Sequence, residues 1–300
     1  MRYRELLKEG EKALLASGVP EGELDAWYLF SHCFSMDKGT YFRYMETEIP
    51  EDAKEAVKEF GRLAGQRAKR IPLQQLLESQ EFMGLPFFVN RHVLIPRQDT
   101  ETLAETVLEG ERGAARPYRL LDLCTGSGCI GISLAICMRQ KRPAGDRAEA
   151  GKDGIEVVLS DISPEALGVA AENVRRFGLA EDCRLVESDL FKALSGERFD
   201  CIVSNPPYIP SGELERLMPE VKEYEPRLAL DGSGDGLAFY RRIREEAANH
   251  LFPGGRIYLE IGWDQGETVP RLFREAGFLH IEVLKDLAGN DRVVRAVSPE

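Results

Sequence analysis

Leu121-Asp122-Leu123-Cys124-Thr125-Gly126-Ser127-Gly128-Cys129-Ile130-Gly131 joins an apolar strand to an apolar helix. Gly126, Gly128 and Gly131 match G-x-G-x-x-G, whose glycines permit a tight turn and a close backbone approach to a nucleotide. That spacing alone is a weak signal, so its surroundings decide. Downstream, 156–160, 200–204 and 256–261 are compact apolar runs, with helical patterns between several of them. From about Tyr118 onward the alternation predicts an α/β fold, a mostly parallel sheet covered by helices. Val157-Val158-Leu159-Ser160-Asp161 ends in an acid placed to accept hydrogen bonds from ribose hydroxyls. Asp161 lies further from Gly128 than the usual spacing of about 20 residues. The polar stretch from Gln140 to Gly154 accounts for the excess and is expected to be a surface loop without chemistry of its own.

Asp122 precedes the turn. A carboxylate there attracts an ammonium group and repels a pyrophosphate, which favours S-adenosylmethionine over a dinucleotide. Cys124, Thr125, Gly126, Ser127 and Gly128 are then the turn that meets the cofactor, with Asp161 on its ribose. Ser188-Asp189-Leu190-Phe191 follows a further short strand at Leu185-Val186. An oxygen of Asp189 is a candidate acceptor for the adenine amino group, and Leu190 a candidate apolar face.

Phe199-Asp200-Cys201-Ile202-Val203-Ser204-Asn205-Pro206-Pro207-Tyr208 reads as a buried strand stopped by a turn. Two prolines remove two backbone donors and fix φ, so the Asn205 side chain and nearby carbonyls stay aimed and unpaired. In an open α/β sheet this turn lies beyond the carboxyl ends of the strands, where ligands bind. Such a site suits acceptance of hydrogen bonds from a planar amino group. Taken by itself the same segment is also compatible with a surface turn or a polyproline II ligand.

Three hundred residues suggest about two domains, and 43% hydrophobic content supports substantial cores. A formal charge of −12 disfavours stable nucleic-acid binding through broad phosphate contact. No apolar run reaches the roughly 20 residues of a membrane span, and the N-terminus lacks a signal peptide's apolar core, so a cytoplasmic chain is expected. The six cysteines and four histidines form no metal-ligand motif, and the cysteines are expected to be buried free thiols.

The first seventy or so residues carry helical spacing: Leu6, Leu7, Leu14 and Leu15; then Leu24, Trp27, Tyr28 and Phe30. After Pro50-Glu51-Asp52, a helix start, come Ala53, Ala56, Val57, Phe60 and Leu63. A small helical bundle with its aromatic residues in the core is the expectation. Phe87-Phe88-Val89 and Val93-Leu94-Ile95 read as the strands of a β-hairpin, and Asp99 or Thr100 as the cap of the next helix. The expected division is 1–80 helical domain, 81–97 hairpin linker and 98–300 catalytic domain.

Taken together the chain resembles the HemK/PrmC family of glutamine N5-methyltransferases that modify peptide chain release factors. The resemblance spans almost the whole chain. It rests on Pro72-Leu73-Gln74, Leu94-Ile95-Pro96-Arg97 with Thr100-Glu101, Asp122 to Gly128, and Asn205-Pro206-Pro207-Tyr208. Tyr224-Glu225-Pro226, Ala229-Leu230, Asp235-Gly236-Leu237, Leu259-Glu260-Ile261-Gly262, and Asp286-Leu287-Ala288-Gly289 before Asp291-Arg292 add to it. Cys124 stands where the family usually has glycine, and Gln98-Asp99 replaces the more usual Pro-Glu. The resemblance implies a Rossmann-like class I S-adenosylmethionine-dependent methyltransferase domain, preceded by a helical bundle that grips the release factor. It implies methyl transfer to the glutamine of a Gly-Gly-Gln motif. Asn205 Oδ1 and the Pro206 carbonyl would accept the two amide N–H groups, Pro207 would stiffen the turn, Tyr208 would wall the amide, and Asn205 would also border the cofactor. The Asn-Pro-Pro-Tyr element is shared with adenine-N6 and guanine-N2 methyltransferases, so a nucleic-acid substrate is the alternative.

Overall fold

A computed structural model describes residues 1–113, 117–140 and 154–299, so most of the Gln140-to-Gly154 stretch lies outside the described residues. The chain forms two compact units. Unit 1 is Met1–Ser79 with Met218–Tyr224, and unit 2 is Gln80–Leu217 with Glu225–Glu300.

Unit 1 contains helices Tyr3–Ala16 (α1), Gly22–Phe34 (α2), Lys38–Tyr44 (α3), Lys54–Arg67 (α4) and Leu73–Leu77 (α5), and the later helix Pro219–Tyr224. The apolar positions of α1, α2 and α4 converge on Leu14, Leu29, Phe30, Phe60 and Leu63, all nearly solvent-free. Phe30 meets Phe60 edge-on with ring centres 5.8 Å apart, and Phe34 lies stacked at 4.6 Å. Such aromatic pairs add about 1 kcal/mol each beyond burial. Not every aromatic is core, however: Tyr28, Phe42 and Tyr44 are exposed because helical spacing turns them outward. Buried among the helices, Arg67 donates from Nε to Asp25 at 2.6 Å and from Nη2 to Glu220 at 2.9 Å. Arg70 makes two more bonds to Glu220, each 2.6 Å. Gln75 donates to the Tyr224 carbonyl, and the Tyr224 hydroxyl to the Lys69 carbonyl, so the Pro219 helix is held by side chains along its length.

In unit 2, strands Gln80–Phe82 (β1) and Leu85–Phe87 (β2) form a two-stranded hairpin. It lies upstream of the position expected from the sequence. Met83 and Gly84 supply the turn, with φ of 53° and 72°. Phe82 and Phe87 are fully buried in the core of this unit, each contributing about 2 kcal/mol by burial. The expected second strand at Val93-Leu94-Ile95 does not pair. Instead, Asn173 acts as the partner of Phe88, accepting from its N–H at 2.7 Å and donating to its carbonyl at 2.9 Å, while Val89 and Val93 pack on Ala166 and Val169.

Beyond these come Gln98–Gly110 (α6), Tyr118–Leu123 (β3), Cys129–Gln140 (α7), Ile155–Asp161 (β4), Pro164–Arg176 (α8), Cys183–Glu187 (β5) and Phe199–Ser204 (β6). The Pro219 helix (α9) is followed by Arg227–Leu230 (α10), Ala238–Glu246 (α11), Leu251–Glu260 (β7), Thr268–Glu275 (α12), Leu279–Lys285 (β8) and Asp291–Val297 (β9). The sheet order is β5-β4-β3-β6-β7-β9-β8, with β9 the antiparallel strand. The order reverses at β3, so β4 and β6 flank it and a crevice opens beyond their carboxyl ends. Neither Asp99 nor Thr100 caps α6. The cap position is Arg97 and the helix starts at Gln98, which leaves Thr100 buried in its first turn.

Candidate active site

Beyond the carboxyl ends of β3, β4, β5 and β6 lies a cavity of about 330 Å³. Its wall includes Cys124, Thr125, Gly126 and Ser127 from the turn after β3, Asp161 from β4, Asp189 and Leu190 after β5, and Asn205 and Pro207 after β6. Thus most of the residues singled out from separate stretches come together. The turn itself is left-handed at Cys124, Gly126 and Gly128, with φ of 62°, 55° and 79°. Cys124 accepts a conformation that costs a non-glycine residue about 1 kcal/mol. Gly131 is required by space: an added Cβ would lie 2.4 Å from Leu159 Cδ2 and 2.9 Å from Asp122 Oδ2.

Asp122 is not where charge reasoning put it. It has no exposed surface, does not line the cavity and sits beneath the turn. Its Oδ2 accepts from the Thr125 hydroxyl at 2.6 Å and from Gly131 N–H at 2.9 Å, while Oδ1 has no hydrogen-bond partner among the described residues. The local geometry explains the correction: a strand-end acid whose next turn folds back over it meets that turn's donors first. Burial pushes its carboxyl up to about 7. An acid raised in the folded state favours folding below its ordinary pKa of 3.8, and that contribution is lost as pH rises through about 7. Asp122→Asn, which keeps an acceptor for Gly131, is therefore expected to flatten the stability profile between pH 5 and 7 by about 1 kcal/mol per pH unit. Urea midpoints across that range check this; parallel profiles for the two proteins would refute it.

Asp161 faces the cavity, accepting from Gly126 N–H through Oδ2 at 2.9 Å and from Ser163 N–H through Oδ1 at 3.0 Å. Desolvation raises its pKa despite these bonds. Such a carboxylate gains from further hydroxyl donors. Asp189 also lines the cavity, and Lys192 at 2.7 Å and Arg242 at 2.6 Å hold it, in that order the causes of its lowered pKa. Leu190, with φ of 54°, is buried against the cavity and supplies the apolar face.

At the other side, Asn205 Nδ2 donates to the Thr100 hydroxyl at 3.4 Å. Pro206 is buried and outside the cavity wall. Tyr208 also lies off that wall; its hydroxyl donates to Glu260 Oε1 at 3.2 Å, and burial raises its pKa. Arg97 lines the cavity and pairs with buried Glu225 at 2.5 Å, whereas Glu101 accepts from Met83 N–H. Thr100, read from the sequence only as a helix cap and as part of a motif, and Phe239 and Arg242, not read at all, join the wall because of the packing of α6 and α11. Only Thr100 carried a signal, its place in the Pro-Arg-x-x-Thr-Glu run.

Among the described residues no helix is long and apolar enough to cross a membrane, and no cluster suits a metal ion. The cavity suits a nucleoside: Asp161 presents carboxylate oxygens to it, and Leu190 and Ile162 present apolar surface.

Comparison with known proteins agrees with this geometry. Residues 5–77 match the PrmC N-terminal domain, and 99–220 the methyltransferase small domain. The catalytic domain of hMettl16 in complex with an RNA hairpin superposes with a TM-score of 0.52 at 15% identity, over 79% of this chain and 80% of that one. The Thermus thermophilus 16S rRNA N2 G1207 methyltransferase, in complex with AdoMet and guanosine, gives 0.50 at 20%, over 73% and 49%. Fold and site together define a class I methyltransferase. The release factor glutamine methyltransferase of Geobacter sulfurreducens is 42% identical over 94% of this chain and 91% of its own. That of Moorella thermoacetica is 41% identical over the full length of both. The chain belongs to the release factor glutamine methyltransferase family.

Proposed function

We infer that this enzyme transfers the methyl group of S-adenosylmethionine to the side-chain nitrogen of the glutamine in the Gly-Gly-Gln motif of peptide chain release factors, in the cytoplasm. The observation that carries the reading is Asn205 on the cavity wall, its Nδ2 turned to Thr100 and its Oδ1 left for a substrate donor. Full-length kinship with enzymes of that name supports the substrate.

When bound, S-adenosylmethionine supplies a methyl group on a positively charged sulfonium. Asp161 would hold the ribose hydroxyls, the Thr125-to-Gly128 turn would approach the amino-acid portion, and Leu190 would cover the adenine. An amide nitrogen is a poor nucleophile because its lone pair is delocalised into the carbonyl. Asn205 Oδ1 would accept one amide N–H at the cavity wall, and the Pro206 carbonyl, in the same turn although Pro206 lies outside that wall, is assigned the other, which would turn the lone pair toward the methyl group. The same acceptors stabilise positive charge growing on nitrogen. The proton displaced from the amide nitrogen would pass to water. Pro207 keeps the turn rigid, and alignment supplies much of the remaining acceleration. Unit 1 is assigned to gripping the release factor.

Losing a charge-assisted pair of ribose bonds costs on the order of 2 kcal/mol, so Asp161→Ala is expected to weaken cofactor affinity between ten- and a hundredfold. Titration calorimetry reads this directly; unchanged affinity would remove Asp161 from the ribose. Mass spectrometry of a release factor incubated with enzyme and cofactor tests the reaction: one methyl mass on the Gly-Gly-Gln peptide is expected. Methylation of RNA or DNA instead would keep the pocket and overturn the substrate, an outcome the charge of −12 disfavours.

A further inference from the structure

Asp161 and Asp189 border the cavity from neighbouring strands: Asp161 pairs with Glu187 across the sheet, and Asp189 stands two residues further on. The Ser188 N–H donates to the Asp161 carbonyl at 2.9 Å. The Ser188 hydroxyl donates to the Leu190 carbonyl at 2.6 Å and accepts the Ala193 N–H at 2.9 Å, so the backbone around Asp189 is tied within its own turn. The Asp189 side chain is tied from elsewhere. Arg242, on α11 and 53 positions away, donates from Nη2 to Asp189 Oδ1 at 2.6 Å, and both residues line the cavity. Lys192 donates to Oδ2 at 2.7 Å, but its side chain belongs to the same turn, is largely exposed and lies off the cavity wall. Among the described residues, Arg242 is thus the one tie between the Asp189 carboxylate and another element of the fold.

An ionised carboxylate can only accept, and it has about four lone-pair sites. Arg242 and Lys192 occupy one on each oxygen, which leaves acceptor capacity for a ligand. We propose that Arg242 is a positioning residue that sets the base specificity of the cofactor site: it keeps the Asp189 carboxylate on the cavity wall as the acceptor for the 6-amino group of adenine. The proposal rests on the reading of the cavity as the S-adenosylmethionine site. Phe239, one helical turn before Arg242 on α11, brings its ring to the same wall, and Leu190 brings apolar surface, so a flat base has apolar neighbours beside the acceptor. Without Arg242 the carboxylate keeps only Lys192 and follows it toward water. A base with a carbonyl in place of the amino group sets acceptor against acceptor, and a site built for the donor rejects it.

The test is calorimetry of S-adenosylhomocysteine and S-inosylhomocysteine, which differ at position 6 of the base, with wild type, Arg242→Met, Arg242→Lys and Asp189→Asn. Arg242 is 40% exposed in its side chain, so its replacement leaves the core intact. Wild type is expected to prefer the adenine form at least tenfold. In Arg242→Met the preference should fall below threefold, through weaker binding of the adenine form. Arg242→Lys, which restores a donor cation, should keep it above fivefold. Asp189→Asn should lose it, because an amide offers both a donor and an acceptor. Arg242→Met that weakens both ligands equally and keeps the preference has a structural effect only and overturns the proposal, even where Asp189→Asn still loses the preference. A wild type that binds both forms alike overturns the assignment of Asp189 to the base and this proposal with it. A wild type that binds neither overturns the cofactor reading of the cavity itself.

Discussion

Asn205→Ala is expected to lower kcat on the order of a thousandfold while leaving S-adenosylmethionine affinity within a few-fold of wild type. The large kinetic effect follows from timing. The Asn205 acceptor matters most when the amide nitrogen carries positive charge, which it does only near the transition state. The modest binding effect follows from placement, since Asp161, Leu190 and the turn after β3, all on the cavity wall, are the residues assigned to the cofactor. Single-turnover mass spectrometry gives the rate and calorimetry the affinity. A variant with near wild-type kcat would remove Asn205 from the chemistry. One that bound no cofactor would make it a cofactor residue instead.

Arg67→Ala is the second large change, and it acts on stability. Arg67 is buried between Asp25 and Glu220, both largely shielded from water. Removing the guanidinium strands two carboxylates, of which only Glu220 keeps another partner, Arg70. Breaking a buried ion pair from one side costs about 3–5 kcal/mol. Urea denaturation followed by a probe in unit 1 is expected to show a loss of that size. A loss below about 1 kcal/mol would mean that water reaches Asp25 once Arg67 is gone. Asp25→Asn in the Arg67→Ala background should recover part of the stability, because the stranded charge is then removed.

The contrast between what the chain discloses and what it conceals follows the range of the forces involved. The turn from Leu121 to Gly131 is legible because a strand, three glycines and a helix act within eleven consecutive residues. The strands at 118–123, 155–161 and 199–204 are legible because both faces are covered, which leaves an unbroken apolar run. Strand β8 went unread: it is an edge strand with mostly exposed residues, so neither alternation nor a continuous run marks it. The hairpin shifted because Val89 and Val93 are apolar for packing on α8, and burial leaves the same trace in sequence as pairing. Asp122, Asp161 and Asp189 look alike as strand-end acids. One is buried beneath a turn, one faces the cavity, and one is held by Lys192 and Arg242. Which oxygen meets which donor is set by neighbours tens of residues away, and no local pattern records it. Thr100 and Glu260 illustrate the same limit, 160 positions apart in the chain yet both beside the Asn-Pro-Pro-Tyr turn.

The helix Pro219–Tyr224 belongs to unit 1 although it is encoded after the Asn-Pro-Pro-Tyr segment. Modular inheritance therefore has no single seam here. A gene cut after codon 79 would yield an N-terminal fragment without Glu220, leaving Arg70 without the carboxylate it grips and Arg67 with one of two. The other fragment would carry an orphaned helix. Grafting a different helical unit onto this methyltransferase domain, or lending unit 1 to another enzyme, would require two simultaneous exchanges at distant points of the gene. An interrupted module of this kind is hard to shuffle, and that gives the two halves a reason to descend together.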